Sequence, residues 1–193
     1  ASRVFPGRAL ETLRWDEGGV VPNLAELAVV RVAPAAGGAS ELWIHLSAGA
    51  SAAPMEDGYG LEFVLLTRAP EKLATKLLAM VANLHADDRY PLSLGQALEI
   101  GHGWLPGASA DHLLVALPTL FDPELEWLSD ASRNVRFIWL VPITRAEAEG
   151  AHGATVKRGS RCAPARSSRT RSSSPRLAGR WSVSPWLAPA RVE

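Results

Sequence analysis

The sequence predicts an α+β fold: a mixed β-sheet with one main helix packed on it, followed by a basic C-terminal tail. Three observations carry this. Short β-branched runs are separated by Gly and Pro, one long apolar stripe at helical spacing lies among them, and the composition changes abruptly near residue 153. The chain has 193 residues, of which 47% are apolar. A body of about 150 residues can bury ~68–70% of its unfolded surface, enough to fold independently.

The strands come first. Leu27–Val32 is a β-branched run stopped by Pro34 and the Gly37-Gly38 turn. Glu41–Leu46 alternates, with Leu42, Ile44 and Leu46 on one face. Gly60–Leu66 sets Leu61, Phe63 and Leu65 on one side and Glu62 at the solvated end of the other, and Ser47–Gly58 between them reads as a loop. A helix follows, with Pro70 at the first helical position, Glu71 near the positive end of the dipole, and Leu73, Leu77, Val81 and Leu84 in one stripe. Asp87-Asp88 and Pro91 end it. Ser93–Gln96 offers a weaker capping box for a single turn before Gly101. Two further strands, Leu113–Leu117 and Val135–Val141, stop at prolines, and the second is apolar on both faces, as a central strand should be. Thr144-Arg145-Ala146-Glu147 is a capping box announcing a helix, which Gly150 and Gly153 then interrupt.

The zero net charge conceals a segregation. Residues 1–153 hold eleven basic and nineteen acidic residues, a balance of −8, whereas residues 154–193 hold nine and one, a balance of +8. That divides the chain into a domain over 1–153 and an Arg/Ser/Pro-rich tail over 154–193. No apolar period of 2 or 3.6 runs through the tail, so it cannot offset an ordering entropy of about 1–2 kcal/mol per residue by burying a face. It is expected to be unfolded, and it admits three readings: a nucleic-acid-binding segment, an internal counter-charge to the acidic body, or a frame-shifted C-terminus built from GC-rich codons. The third explains best why the pattern stops just where a cap has announced a helix.

The residues exclude most chemistry. One cysteine, Cys162, rules out a disulfide framework or a site built on several thiolates. There is no GxSxG, GxxxxGK[ST] or GxGxxG. His45 reads as a satisfied, partly buried histidine. His85 reads as a cation at a helix C-terminus, and His102 and His112, with Asp111, have no zinc-ligand spacing. Glu124 and Glu126 alternate along an extended, solvated stretch. No apolar run reaches the ~18–20 residues of a membrane span, and no secretory signal opens the chain, so the expectation is a cytoplasmic protein without a metal or cofactor.

An ordered set of segments resembles the suppressor-of-fused domain family in its short bacterial single-domain form. These are Gly58–Phe63, Leu77–Leu84, Gly101-His102, Pro106–Val115, Pro123–Glu126 and, most diagnostic, Phe137–Glu147. The resemblance implies a non-catalytic protein-binding module. Animal relatives hold a short peptide between two lobes, partly by strand addition, and bacterial relatives resemble immunity proteins that neutralise a toxin. It places the partner contacts at the helix end and the turn after it: Leu84, Gly101, His102, Gly103 and Trp104. Trp104 on its loop reads either as an interface aromatic or as a lid on the core. The acidic body would steer towards a basic partner, such as a nucleic-acid-cleaving toxin. The alternatives are an unrecognised enzymatic role and nucleic-acid association through the tail.

Overall fold

A computed structural model of the chain describes residues 4–14, 24, 26–35, 37, 41–53, 55, 58–87, 89–90, 92–120, 123–129 and 134–158. They form an α+β domain built on one mixed sheet. The strands are β1 (Leu10–Arg14), β2 (Ala28–Val32), β3 (Trp43–Ala48), β4 (Gly60–Thr67), β5 (Ala97–Glu99), β6 (His112–Ala116), β7 (Trp127–Ser129) and β8 (Asn134–Ile143). The helices are α1 (Lys72–His85), α2 (Pro123–Glu126) and α3 (Arg145–Arg158).

The sheet order is β1-β2-β3-β4-β8-β6-β5, with β7 also on β8. All pairs are antiparallel except β4 with β8, where Gly60–Val64 match Val135–Trp139. The helix α1 lies between these two strands in sequence, as a parallel connection requires. β8 is central, as its two apolar faces predict. β6 pairs its second half (His112 opposite Ile143, Ala116 opposite Trp139) and β7 its first (Trp127 opposite Arg136, Ser129 opposite Asn134). Both run the same way along one edge of β8. They are one strand broken by a detour, residues 117–126, that contains α2.

Successive residues of β4 feed different apolar clusters, because side chains alternate across a strand. Leu61, Phe63 and Leu65 join Leu77, Leu78 and Val81 of α1 in the main core, with Leu98, Leu113, Ile138 and Leu140. Val64 joins Phe5, Val32, Ile44, Leu46 and Leu125 in a second cluster. Leu125 of the detour therefore helps to cover the sheet away from the main core.

Several expectations are corrected. β8 runs on to Ile143, with Pro142 opposite Leu113 one residue from the strand end, a position where a missing N–H costs little. Helix α1 begins at Lys72, after Pro70, with Glu71 as its N-cap residue. The single turn expected at Ser93–Gln96, by contrast, is present, and the Ser93 amide donates to Gln96 Oε1 at 3.1 Å as in a capping box. β1, β5 and β7 were not anticipated. Helix α3 is not interrupted: it passes through Gly150 and Gly153 and crosses residue 153. A glycine costs a helix only ~1 kcal/mol relative to alanine, and here the start is well anchored. The Thr144 amide and hydroxyl both donate to Glu147 Oε2 at 2.8 Å, the Glu147 amide returns a bond to Thr144 Oγ1 at 3.3 Å, and Ala148 is buried. The basic tail beyond Arg158 lies outside the described residues.

Candidate functional site

The turn after β5 is built by two glycines. Gly101 adopts φ +89°, a left-handed conformation open to glycine at little cost. At Gly103 a Cβ would run into the backbone carbonyl oxygen of Ala108, so only glycine fits. The loop is closed by backbone bonds from Ile100 to Asp111 (2.8 Å), Trp104 to Ala110 (2.9 Å) and Ala108 to Leu105 (3.0 Å). His102 is exposed, and its Nδ1 donates to the Gly103 carbonyl at 2.8 Å. Trp104 and Leu84 are both half-buried and both pack against the main core. Of the five residues expected at the contact region, Gly101 and His102 thus stand in solvent, Gly103 shapes the loop, and Trp104 and Leu84 form part of the core's rim. Beside them, β5 is an edge strand: it pairs β6 on one side and, among the described residues, no strand on the other.

The neighbouring polar cluster is an ion-pair chain. His112 Nδ1 bonds Asp111 Oδ1 at 2.8 Å, and Arg145 bridges Glu99 (3.1 Å) and Asp111 (3.7 Å). The hydrogen bond from His112 is the main reason the Asp111 carboxyl is held below its ordinary range. These contacts tie β5, β6 and the start of α3 together. Among the described residues no group of three or more His, Cys, Asp or Glu is placed to hold a metal ion.

The buried polar residues are structural. Glu62 is not solvated, as its alternation suggested, but 5% exposed. Its carboxylate accepts from Ser47 Oγ (2.5 Å) and from the amides of Gly49 (2.9 Å) and Ser51 (3.0 Å), while Ser47 Oγ accepts from the Phe63 amide (2.7 Å). The carboxylate pins the turn after β3 to β4. His45 is fully buried and partnered: Nε2 meets Thr67 Oγ1 at 2.9 Å and Nδ1 meets Thr75 Oγ1 at 3.4 Å. Thr67 gives its own proton to the Ala69 carbonyl, so the ring proton sits on Nε2. Burial first, and the charge of Arg31 second, push His45 down to about 4. His85 is likewise buried, edge-on to Phe63 at 5.5 Å, and burial lowers it against the opposing pull of Glu62. It is a neutral core residue, not the cation that its place at a helix end suggested; desolvation outweighs the dipole.

A second surface was missed. Trp127 and Leu128 of β7 are 41% and 44% exposed, and Leu120 of the detour is 64% exposed. Trp127 meets Tyr59 edge-on at 5.3 Å and carries the Arg136 guanidinium at 5.1 Å, and Arg136 pairs with Glu126 at 2.7 Å. Glu126 is therefore in a helical turn and ion-paired rather than in an extended solvated stretch. Trp127-Leu128 was the available signal, but three residues are too few for a periodic pattern.

The family model for suppressor of fused protein (SUFU) matches residues 24–158. Among solved structures, a chain described as a SUFU homologue from Neisseria gonorrhoeae is 25% identical, with a TM-score of 0.65 over 82% of this chain and 85% of that one. A chain of the Sufu–Fu complex is 17% identical, with a TM-score of 0.56 over 79% and 75% of the two chains. Drosophila Suppressor of Fused is 16% identical, with a TM-score of 0.49, over 67% of this chain and 36% of that one. No curated protein matches significantly.

Proposed function

Because this chain belongs to the suppressor of fused family, we propose that it is a non-catalytic protein-binding module, an immunity or regulatory protein that binds and neutralises a partner protein. The observation that carries this is the open edge of β5, which runs directly into an exposed turn bearing His102 and the half-buried Trp104. An open edge offers a row of backbone donors and acceptors to an extended segment, and a neighbouring aromatic supplies contact area at low rotamer cost. The partner contacts are Leu84, Gly101, His102, Gly103 and Trp104. The Sufu–Fu complex, a protein–protein assembly on a chain of this fold, supports the same reading. The partner is a basic protein such as a toxin, drawn by the −8 charge of residues 1–153, which mainly raises the association rate. The protein acts in the cytoplasm; none of the described helices is long and apolar enough to cross a membrane.

The test is co-purification of the full chain with the products of genes adjacent to its own, followed by calorimetric titration. His102→Ala and Trp104→Ala should each weaken binding by about fivefold or more, the ~1 kcal/mol that fewer than about a third of interface residues exceed on truncation. Unchanged affinity in both folded variants would remove the site, and turnover without a protein partner would remove the module reading.

A further inference from the structure

The loop that carries most of the proposed contact region, residues 100–110, leaves β5 after Glu99 and returns to β6 through Asp111. It includes Gly101 and Gly103, so holding it in one shape costs more ordering entropy than holding a turn of other residues. A binding site that must first be ordered loses that cost from its affinity. The stem beneath the loop is short, because β5 pairs three residues with β6. Backbone bonds from Ile100 to Asp111 and from Trp104 to Ala110 close the loop, but they give that stem little width.

A side chain from another element spans it. Arg145, the first residue of α3, donates from Nη2 to Glu99 Oε1 at 3.1 Å and sets Nε 3.7 Å from Asp111 Oδ2. These carboxylates stand at the two ends of the loop, and they would repel each other without the guanidinium between them. Leu98 and Trp104 pack with the main core, whereas Glu99, the next residue along β5, turns its side chain to the opposite face of the sheet. Arg145 is also an unfavourable choice for its own helix, since the first turn is the positive end of the dipole. Its position is nonetheless fixed on both sides. Thr144 and Glu147 cap the helix reciprocally, and the Asp111 amide donates to the Ile143 carbonyl at 3.1 Å. A half-exposed ion pair adds little to global stability, so the work left for this one is local.

We propose that Arg145 is a positioning residue for partner binding: by bridging Glu99 and Asp111 it locks the two stems of the loop, so that the Gly101–Trp104 turn holds its binding shape before the partner arrives. The inference rests on the contact region proposed above and adds to it a residue that acts through the loop.

Amide hydrogen exchange of the full chain tests the lock with no partner present. Arg145→Gln should speed exchange of the Ile100 and Trp104 amides about fivefold and leave Leu78 and Val81 of α1 unchanged, which separates local loosening from global destabilisation. Arg145→Lys keeps the charge but replaces a fork of nitrogens with one ammonium, and should fall close to Arg145→Gln. Glu99→Gln should have the same effect, and the double variant with Arg145→Gln no more than either alone. In calorimetric titration with the purified adjacent-gene product that the parent chain binds, both Arg145 variants should be about fivefold weaker. Unchanged exchange at Ile100 and Trp104 overturns the inference, because the loop then keeps its shape without the bridge. Additive effects of Glu99→Gln and Arg145→Gln overturn it too, as does parent affinity in either Arg145 variant; in Arg145→Lys alone, that result would leave only long-range attraction. The contact region itself fails differently: His102→Ala and Trp104→Ala would then bind as the parent does, whatever the Arg145 variants show.

Discussion

Acidification from pH 7 to 4 should destabilise the domain through His45. The ring is fully buried and is pushed down to about 4 from 6.5, so the unfolded chain takes up a proton where the folded one resists it. A group depressed in the folded state contributes stability that is complete above the unfolded value and is lost as pH falls through the folded one. The window is therefore pH 6.5 to 4. At 1.36 kcal/mol per unit, the loss over that window is about 3 kcal/mol, a large share of a total stability of ~5–15 kcal/mol. His85 is lowered in the same sense and adds to the loss. His45→Gln isolates the contribution: the amide nitrogen can donate to Thr67 in place of Nε2 but does not titrate. Urea denaturation of both proteins at pH 7, 6, 5 and 4 gives two stability curves. The parent should lose about 3 kcal/mol more than the variant between the ends of the series. Parallel curves would refute the argument, whatever the variant's stability at pH 7, because only the slope carries the proton.

Two other substitutions probe the frame. Glu62→Gln turns one acceptor into a donor facing groups that already donate, and should cost about 2–3 kcal/mol in urea denaturation, with the turn after β3 becoming more open to hydrogen exchange. Thr144→Ala removes half of the reciprocal cap on α3 and should cost ~1 kcal/mol; an unchanged midpoint would mean that α3 contributes nothing to the domain.

The sequence made legible what periodicity and punctuation record. The α1 stripe lies in the core through Leu77 and Val81, with Leu73 and Leu84 at its margin, and β8 announced its central place by apolar residues on both faces. β1 escaped because Leu-Glu-Thr-Leu-Arg is a mostly exposed edge with nothing to alternate against, and β5 and β7 because three residues hold no period. The burial of Glu62 was invisible for another reason: its donors sit 11 to 15 residues away and meet it only once β3 and β4 have paired. At the contact region, the Gly101–Trp104 turn could be located from its residue types. The half-burial of Trp104 and the open edge beside it could not, since both depend on which strands neighbour β6.

The detour between β6 and β7 gives the domain a place that tolerates length. Both of its ends are held by the same neighbour, β8, so residues can be added between Thr119 and Leu120 without shifting the register on either side. Closing a longer excursion costs only ~0.6 kcal/mol per doubling, as long as Leu125 still returns to its pocket. Here a foreign epitope could be grafted, or lineages could diverge in size, with the rest of the architecture left undisturbed.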